Sequence, residues 1–250
     1  MTAASRLVTM AAGGDRPACL LLPGVGGSPG QYLDLAGRLA GRFGVYALRA
    51  AGLVEGEPAE TSVRQMAGSA LAALDQAGLR PDLVLGWSFG GVLGWELCVR
   101  LAARGRSPRL VLLDSSPFRR RATPAADRAI GLRISSMLGA VPATVAHRVA
   151  ALVAVQLAAM ANHQPAQTYS GPTLALACTD EEFGDRSREL ARWAELAPRL
   201  VTGRLAAGHF EALRADRIDE LVGRLDPFLA AGLLAGEPAA AGPPTVGAPG

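Results

Sequence analysis

A short glycine-rich turn between two apolar segments constrains the fold of this chain more than any other feature. The turn, Gly86-Trp-Ser-Phe-Gly90, fits the pattern Gly-x-Ser-x-Gly; it follows the strand-like run Leu83–Leu85 and precedes a helix-like run that begins near Val92. A strand before this pattern and a helix after it place the serine hydroxyl on a strained turn above a sheet. The two glycines lack a Cβ, so strand and helix can approach closely. We predict that Ser88 is a nucleophile; a glycine-rich turn with an idle serine is the alternative.

Short apolar runs alternate with helix-like segments along most of the chain. Wholly apolar short strands are typical of a parallel sheet that is covered on both faces, so the alternation predicts α/β architecture. The predicted strands are Arg6–Met10, Cys19–Leu22, Val45–Leu48, Leu83–Leu85, Leu110–Leu113, Thr173–Cys178 and Arg199–Leu205. The predicted helices are Gln31–Arg42, Ser62–Ala77, Val92–Arg104, Ile130–Leu138, 142–160, Ser187–Leu196 and 216–231.

The alternation is interrupted over residues 115–168, which contain no strand-like run and are rich in Ala and Val. We predict one domain over residues 1–232 that carries this segment as a helical lid insertion. A helical subdomain packed only for stability is the alternative for the insertion. Residues 236–250, with their Ala, Gly and Pro, are expected to form a disordered tail.

Charge and cysteine usage exclude several classes of protein. The net charge is +3, with 25 basic residues that are all arginine, and no basic stripe with interleaved aromatic residues is present, so nucleic acid is not an expected partner. The three cysteines, Cys19, Cys98 and Cys178, are too few and too widely spaced for a disulfide framework or a zinc site. We expect them to be buried as small apolar side chains.

The chain shows no sign of membrane association. Its first residues lack a basic region followed by a long apolar run, so no signal peptide is predicted. The longest apolar stretch, about 149–161, contains Gln156 and is too short to span a bilayer. The expected location is the cytoplasm.

A nucleophilic serine needs a base for its proton and a carboxylate to orient that base. The chain has three histidines: His147 and His163 lie in the insertion, and His209 follows the last predicted strand. Loops at the carboxyl ends of parallel strands carry the chemistry in this architecture, which favours His209. His147 and His163 are then interpreted as surface or packing residues.

Two acids compete for the orienting role. Asp114 ends the strand after the Ser88 turn, and Asp180 follows the end of the next predicted strand. Both would lie at the same edge of the sheet, so the residues alone leave the choice open. The unused acid is expected to be a turn or cap residue.

Two backbone N–H groups are candidates for stabilising an oxyanion. One belongs to Phe89, directly after Ser88, and the other to Val25 in the turn Pro23–Gly30. A phosphate-binding loop is the rival interpretation of that turn. However, the turn lacks both the Lys-Ser/Thr ending of a P-loop and the spacing of a dinucleotide fingerprint.

Five segments of the chain match a known family: Leu22-Pro-Gly-Val-Gly-Gly27, Val45-Tyr-Ala-Leu-Arg-Ala-Ala-Gly-Leu53, Gly86-Trp-Ser-Phe-Gly-Gly-Val92, Leu112-Leu-Asp-Ser115 and Gly208-His-Phe210. On these segments, and over about residues 6–232, the chain resembles the thioesterase domains of nonribosomal peptide and polyketide synthases, members of the α/β-hydrolase superfamily. The resemblance implies the α/β-hydrolase fold: a mostly parallel central sheet, helices on both faces and a helical lid insertion.

The same resemblance bears on the open choices. A Gly-Trp-Ser elbow followed by Leu-Leu-Asp-Ser looks like the chain-terminating, type I kind, whose acid follows this strand; that implies Asp114. The editing, type II kind usually has a Gly-His-Ser elbow and takes its acid after the next strand, so Asp180 keeps this option open. The Leu-Pro-x-Val segment also supports Val25 as an oxyanion donor.

The reaction that the resemblance implies is acyl transfer. An acyl or peptidyl carrier protein presents a chain as a thioester on its phosphopantetheine arm, Ser88 takes the chain, and hydrolysis or macrocyclisation releases it. No metal or other cofactor is expected. The cluster Arg119–Arg121 is a candidate surface for an acidic carrier protein, with a solvated charged turn as the alternative. A stand-alone type II editing thioesterase, a small-molecule carboxylesterase and a non-catalytic ligand-binding scaffold remain alternative functions.

Overall fold

A computed structural model describes residues 5–179 and 184–233 as a seven-stranded sheet flanked by helices. The strands are β1 (Leu7–Ala11), β2 (Ala18–Leu22), β3 (Gly44–Leu48), β4 (Pro81–Trp87), β5 (Arg109–Leu113), β6 (Thr173–Cys178) and β7 (Leu200–Leu205). The helices are α1 (Leu33–Leu39), α2 (Val63–Gln76), α3 (Phe89–Ala102), α4 (Pro124–Leu138), α5 (Ala143–Ala161), α6 (Arg186–Leu196) and α7 (Ile218–Leu233). The predicted tail at 236–250 lies outside the described residues.

The sheet has the order β1-β3-β2-β4-β5-β6-β7. Strand β1 is antiparallel to β3, and the remaining neighbours are parallel. The predicted mostly parallel sheet is therefore confirmed. The register pairs Trp87 with Leu113 and Leu113 with Leu176, so β4, β5 and β6 end at one edge. The residues that follow these strands are brought together there.

Helices cover both faces of the sheet, as predicted. On one face, alternate strand residues such as Leu21, Leu85 and Val111 pack against α1 and α7. On the other face, residues of the opposite parity, such as Leu20 and Val84, pack against α2, α3 and α6. Both sides of each central strand are thus buried, which explains why the strand sequences are apolar without alternation.

Helices α4 and α5 form the insertion between β5 and β6. Helix α4 buries only Ile134, which joins Val149, Val153 and Leu157 of α5 in a small apolar cluster. Val25, in the turn after β2, packs against this cluster. The insertion is therefore in contact with the turn that was predicted to hold an oxyanion donor.

Helix α5 is longer than the apolar stretch predicted from sequence. It has 19 residues and is long and apolar enough to cross a membrane by length and composition alone, so the expectation of too short a span was wrong. In the structure α5 buries one face, which carries Val149, Leu152, Val153, Gln156, Leu157 and Ala159. The remaining faces are exposed or half-buried.

Several helix starts differ from the predictions, and α3 for example begins at Phe89 and not at Val92. The chain at Pro29–Tyr32 forms a 3-10 turn before α1, where a continuous helix from Gln31 was predicted. Helix α4 begins at Pro124, earlier than predicted, because the Thr123 hydroxyl caps it by accepting the Ala126 N–H at 3.2 Å. Helix α2 is capped by Ser62, whose hydroxyl accepts the Gln65 N–H at 3.2 Å.

The three cysteines are buried, as predicted. Complete burial raises the pKa of the Cys19 and Cys98 thiols, because a thiolate there would lose its hydration. These two side chains therefore act as apolar packing groups.

Candidate active site

Ser88 lies at the sharp turn between β4 and α3. Its backbone has φ 57° and ψ −121°, a conformation that L residues rarely adopt. Asp114, with φ 47°, is the other non-glycine residue with positive φ in the described chain. Strain of this kind costs on the order of 1–3 kcal/mol per residue and is concentrated at functional sites.

Three glycines permit the close packing around this turn. A Cβ on Gly86 would lie 2.1 Å from the Gly90 carbonyl oxygen, and one on Gly90 would lie 1.9 Å from the Leu22 carbonyl oxygen. A Cβ on Gly91 would lie 1.9 Å from Ser115 Oγ. The glycines of the motif therefore let the start of α3 contact both the end of β2 and the residue after Asp114.

A chain of hydrogen bonds joins Ser88, His209 and Asp114. His209 Nε2 lies 3.0 Å from Ser88 Oγ, and Nδ1 lies 2.5 Å from Asp114 Oδ2. This geometry favours the tautomer in which a proton on Nδ1 is donated to the carboxylate and Nε2 is the acceptor for the serine proton. The Asp114 side chain has no exposed surface and that of His209 is 10% exposed. The structure thus brings together the serine, the acid and the base that were favoured from sequence.

The Asp114 carboxylate is held by two further donors. The Cys178 N–H donates to Oδ1 at 2.8 Å, and the Arg186 guanidinium donates to Oδ2 at 2.8 Å. Arg186 also pairs with Glu189, with 2.9 Å between Nη1 and Oε2. A buried carboxylate with this many donors is fixed in both position and orientation.

The other candidates lie elsewhere or outside the described chain. His147 is exposed on α5, and His163, just after α5, has its Nε2 3.1 Å from Glu96 Oε1. Asp180 lies outside the described residues. Of the Arg119–Arg121 cluster, Arg120 pairs with Asp127 at the start of α4, while the two flanking arginines are exposed.

The candidate oxyanion donors lie on adjoining segments. Phe89 is the first residue of α3, so its N–H has no acceptor within the helix. Val25 follows β2, and the close approach of Gly90 to Leu22 brings these two segments into contact. Both N–H assignments stay predictions.

A buried hydrogen bond ties the Val25 turn to the insertion. The Gly26 N–H donates to Gln156 Oε1 of α5 at 2.8 Å, and the Gln156 side chain is buried. A small pocket adjoins this contact, with Pro23, Phe89, Leu152 and Gln156 in its wall. The insertion therefore helps to set the conformation of the turn.

Two aromatic residues support the site in ways that sequence reasoning missed. The Trp87 indole N–H donates to the His209 carbonyl at 3.0 Å, and the two rings lie 5.1 Å apart. The Tyr32 hydroxyl accepts the Trp87 N–H at 3.0 Å and donates to the Leu22 carbonyl at 2.6 Å. Trp87 stands in the recognised motif, but nothing near it in sequence indicates a partner 122 positions away.

Solved thioesterase structures have the same fold. The thioesterase domain of Vlm2 superimposes with a TM-score of 0.73 over 89% of this chain and 97% of that domain, at 21% identity. The type II thioesterase BorB from the borrelidin biosynthetic cluster gives a TM-score of 0.75 over 92% and 99%, at 22% identity. At these identities the likeness establishes the α/β fold of thioesterases.

Sequence comparison extends this likeness to the family. The nonribosomal peptide synthetase btyA of Aspergillus terreus is 32% identical over 115 residues, which are 45% of this chain and 12% of that synthetase. The chain therefore spans a small part of the length of this relative. The model of the Thioesterase domain family matches residues 18–229, from β2 into α7. Since this match covers most of the chain and includes Ser88, Asp114 and His209, the chain belongs to the thioesterase domain family.

Proposed function

We propose that this protein is a serine thioesterase that releases an acyl, polyketide or peptidyl chain from the phosphopantetheine thioester of a carrier protein. The observation that carries the proposal is the hydrogen-bond chain from Ser88 through His209 to Asp114 at a strained strand-to-helix turn. Membership of the thioesterase domain family supports the choice of a thioester as substrate.

In the first half-reaction Ser88 Oγ attacks the thioester carbonyl carbon while His209 Nε2 takes the hydroxyl proton. Asp114 holds the imidazole by Nδ1 and stabilises its cation. The N–H groups of Val25 and Phe89 are the proposed donors to the oxyanion of the tetrahedral intermediate. The intermediate collapses, the C–S bond breaks, and the phosphopantetheine thiol leaves with the proton returned by His209.

The second half-reaction releases the chain from the Ser88 ester. Water, or a hydroxyl or amine of the chain itself, attacks the ester carbonyl after losing a proton to His209. Ser88 Oγ leaves and regains that proton. The product is an acid after hydrolysis and a lactone or lactam after cyclisation. These three side chains supply both proton transfers and the nucleophile, so the proposed reaction requires no metal or other cofactor.

The position of the acid favours chain termination over editing. In the family the chain-terminating kind takes its acid after the strand that follows the elbow, and Asp114 of this chain is 2.5 Å from the base. The editing kind takes it after the next strand, where Asp180 stands. The contact with Asp114 therefore supports a chain-terminating enzyme as the first choice.

The insertion is the proposed lid over the acyl chain. Its α5 contacts the Val25 turn and walls the adjoining space together with Phe89. Arg119 and Arg121, which are exposed and follow Asp114 by a few residues in the sequence, are proposed contacts for an acidic carrier protein. The ion pair of Arg120 with Asp127 of α4 leaves Arg119 and Arg121 as the accessible charges.

Turnover of two matched substrates tests the proposal. We expect an acyl-pantetheine thioester to be cleaved with a higher kcat/KM than the p-nitrophenyl ester of the same acid. Ser88→Ala should lower kcat by about 10⁴-fold or more, because no other group can form the acyl-enzyme. Mass spectrometry of the intact wild-type protein should show the acyl adduct on Ser88.

Ser107→Ala is the matched control, since Ser107 is exposed before β5 and away from the site. It should leave both kinetic constants unchanged. A strong preference for the simple ester would instead indicate a small-molecule carboxylesterase. Retained turnover in Ser88→Ala would refute the nucleophile assignment.

A further inference from the structure

A buried pair of charged residues lies directly behind Asp114, and the proposed reaction does not use it. Arg186 is the first residue of α6 and Glu189 follows one turn later. The side chains of Arg186, Glu189 and Asp114 are 3%, 8% and 0% exposed. Charged groups are rarely buried to this extent unless they are paired, and each of these is paired with another.

The arginine contacts the same carboxylate oxygen as the candidate base. Asp114 Oδ2 lies 2.5 Å from His209 Nδ1 and 2.8 Å from Arg186 Nη2. The other Arg186 nitrogen, Nη1, lies 2.9 Å from Glu189 Oε2. A continuous line of contacts therefore runs from the His209 imidazole through the Asp114 carboxylate and the Arg186 guanidinium to the Glu189 carboxylate.

Helix α6 is anchored so that this line is fixed. The Asp185 side chain caps the helix by accepting the Arg188 N–H at 3.0 Å. Further along, the Trp193 indole N–H donates to the Ser115 carbonyl, next to Asp114, at 2.8 Å. The start of α6 is thus held against the end of β5.

The guanidinium remains charged in this environment. Burial by itself would lower the pKa of Arg186, but the neighbouring carboxylates of Asp114 and Glu189 outweigh burial and raise it above its ordinary value. A permanent positive charge therefore contacts the same Asp114 oxygen that orients His209.

We propose that Arg186 is a positioning residue that clamps Asp114 and, through its charge, keeps His209 unprotonated at a lower pH than Asp114 alone would allow. Glu189 opposes this effect by partly neutralising the guanidinium. The pair thereby sets the lower pH limit of activity. This inference rests on the proposed function, since it assigns His209 the role of base.

The sign follows from electrostatics. A protonated imidazole is stabilised by the Asp114 carboxylate and destabilised by a cation paired with that carboxylate, so Arg186 favours the neutral base. Loss of the cation should move the acid limb of the pH profile upward, and loss of the Glu189 charge should move it downward. The charged groups are buried, so solvent and salt screen their interactions weakly.

Other titratable or charged groups of the described chain approach the triad from several elements. They include Cys178 at the end of β6, Glu211 in the turn after β7 and Arg133 of α4, whose guanidinium lies 5.9 Å from the Phe210 ring. Asp180, Glu181 and Glu182, which follow β6, lie outside the described residues. The test therefore varies only Arg186 and Glu189 and compares the directions in which the midpoint of the acid limb moves.

The experiment measures kcat/KM for an acyl-pantetheine thioester from pH 5 to 9, and in parallel the rate at which a fluorophosphonate labels Ser88. In Arg186→Met we expect the midpoint of the acid limb to rise by roughly one pH unit. In Glu189→Gln we expect it to fall. Arg186→Lys keeps the charge and should restore a midpoint close to that of the wild type. Arg192→Met and Glu195→Gln, which remove an exposed ion pair of the same helix, should not move it.

Opposite shifts in Arg186→Met and Glu189→Gln support the proposal, because loss of fold or of general rigidity lowers the rate without moving the midpoint in opposite directions. Midpoints that stay at the wild-type value in both variants overturn it. If Arg186→Met does not fold, Glu189→Gln and Arg186→Lys decide. A wild-type protein that neither cleaves the thioester nor is labelled at Ser88 refutes the proposed function instead, so the two failures are distinguishable.

Discussion

The two halves of the candidate site are supported by different parts of the molecule. On the acid–base side, Asp114 receives donors from β6 and α6, and those donors are buried and partly charged. On the proposed oxyanion side, the turn that holds Val25 is linked to α5 by a neutral hydrogen bond from Gly26 to Gln156, and its Gly27 carbonyl accepts the Ala50 N–H at 3.1 Å. The first half is held by the sheet and α6, and the second is held in part by the insertion.

This difference separates two roles. The proton-transfer groups are held by the central sheet, whose β4, β5 and β6 end in register and lie in the apolar core. The turn with Val25, the proposed oxyanion donor, packs against a small cluster of α4 and α5. We therefore expect movement of the insertion to affect this proposed donor while the hydrogen bonds of His209 stay intact.

The largest expected effect comes from breaking the acid–base half. Asp114→Asn should lower kcat by about 10³- to 10⁴-fold, because an amide cannot stabilise the imidazolium and favours the wrong tautomer. Asp180→Asn is the matched control and should cost little. Steady-state kinetics on one thioester checks both, and the reverse ranking would assign the acid to Asp180 and favour the editing kind of thioesterase.

An intermediate effect is expected when the oxyanion half loses its link to the insertion. Gln156→Leu removes the acceptor of the Gly26 N–H, and we expect kcat to fall about 10-fold. This loss is smaller than the loss caused by removal of an oxyanion donor itself. The midpoint of the acid limb should stay unchanged, in contrast to Arg186→Met. Gln164→Leu, at an exposed position after α5, is the control. A shifted midpoint in Gln156→Leu would show that the two halves are not independent.

The smallest effect should come from loss of the hydrogen bond between the Trp87 indole and the His209 carbonyl. Trp87→Phe keeps a ring beside His209 but loses the hydrogen bond to the His209 carbonyl. We therefore expect the free energy of unfolding to fall by about 1 kcal/mol. A several-fold loss of kcat should accompany it. Trp95→Phe loses a similar bond, to the Gln167 carbonyl at 3.2 Å, away from the triad. Urea unfolding should show comparable losses for both variants, and equal losses of kcat would refute the specific role of Trp87.

Local sequence patterns were sufficient to predict most of the strands and helices of the fold. Apolar runs marked all seven strands, since strands buried on both faces leave an unmistakable composition. The start of α4 was missed because its apolar face begins at Ile130, and the first turns before it carry no large apolar residue. The cap at Thr123 followed by Pro124 was the signal available, and it would have given the correct start.

The candidate site was predictable to the extent that its residues stand in motifs at strand ends. Ser88, Asp114 and His209 each follow a strand at the same edge, and the structure brings them into hydrogen-bond contact. Arg186 and Gln156 carry no such mark. Their partners lie 72 and 130 positions away, and only the packing of α6 and α5 against the sheet brings these pairs together.

The strained backbone at Ser88 has a consequence for the durability of the protein. A glycine adopts a positive φ without the steric cost that a side chain brings, so the residue proposed to be indispensable for turnover is also one that weakens the folded state. Selection for yield or heat resistance alone would reward replacement of this serine and produce a sturdier, inert protein. Any directed evolution of this scaffold therefore has to score turnover and robustness together.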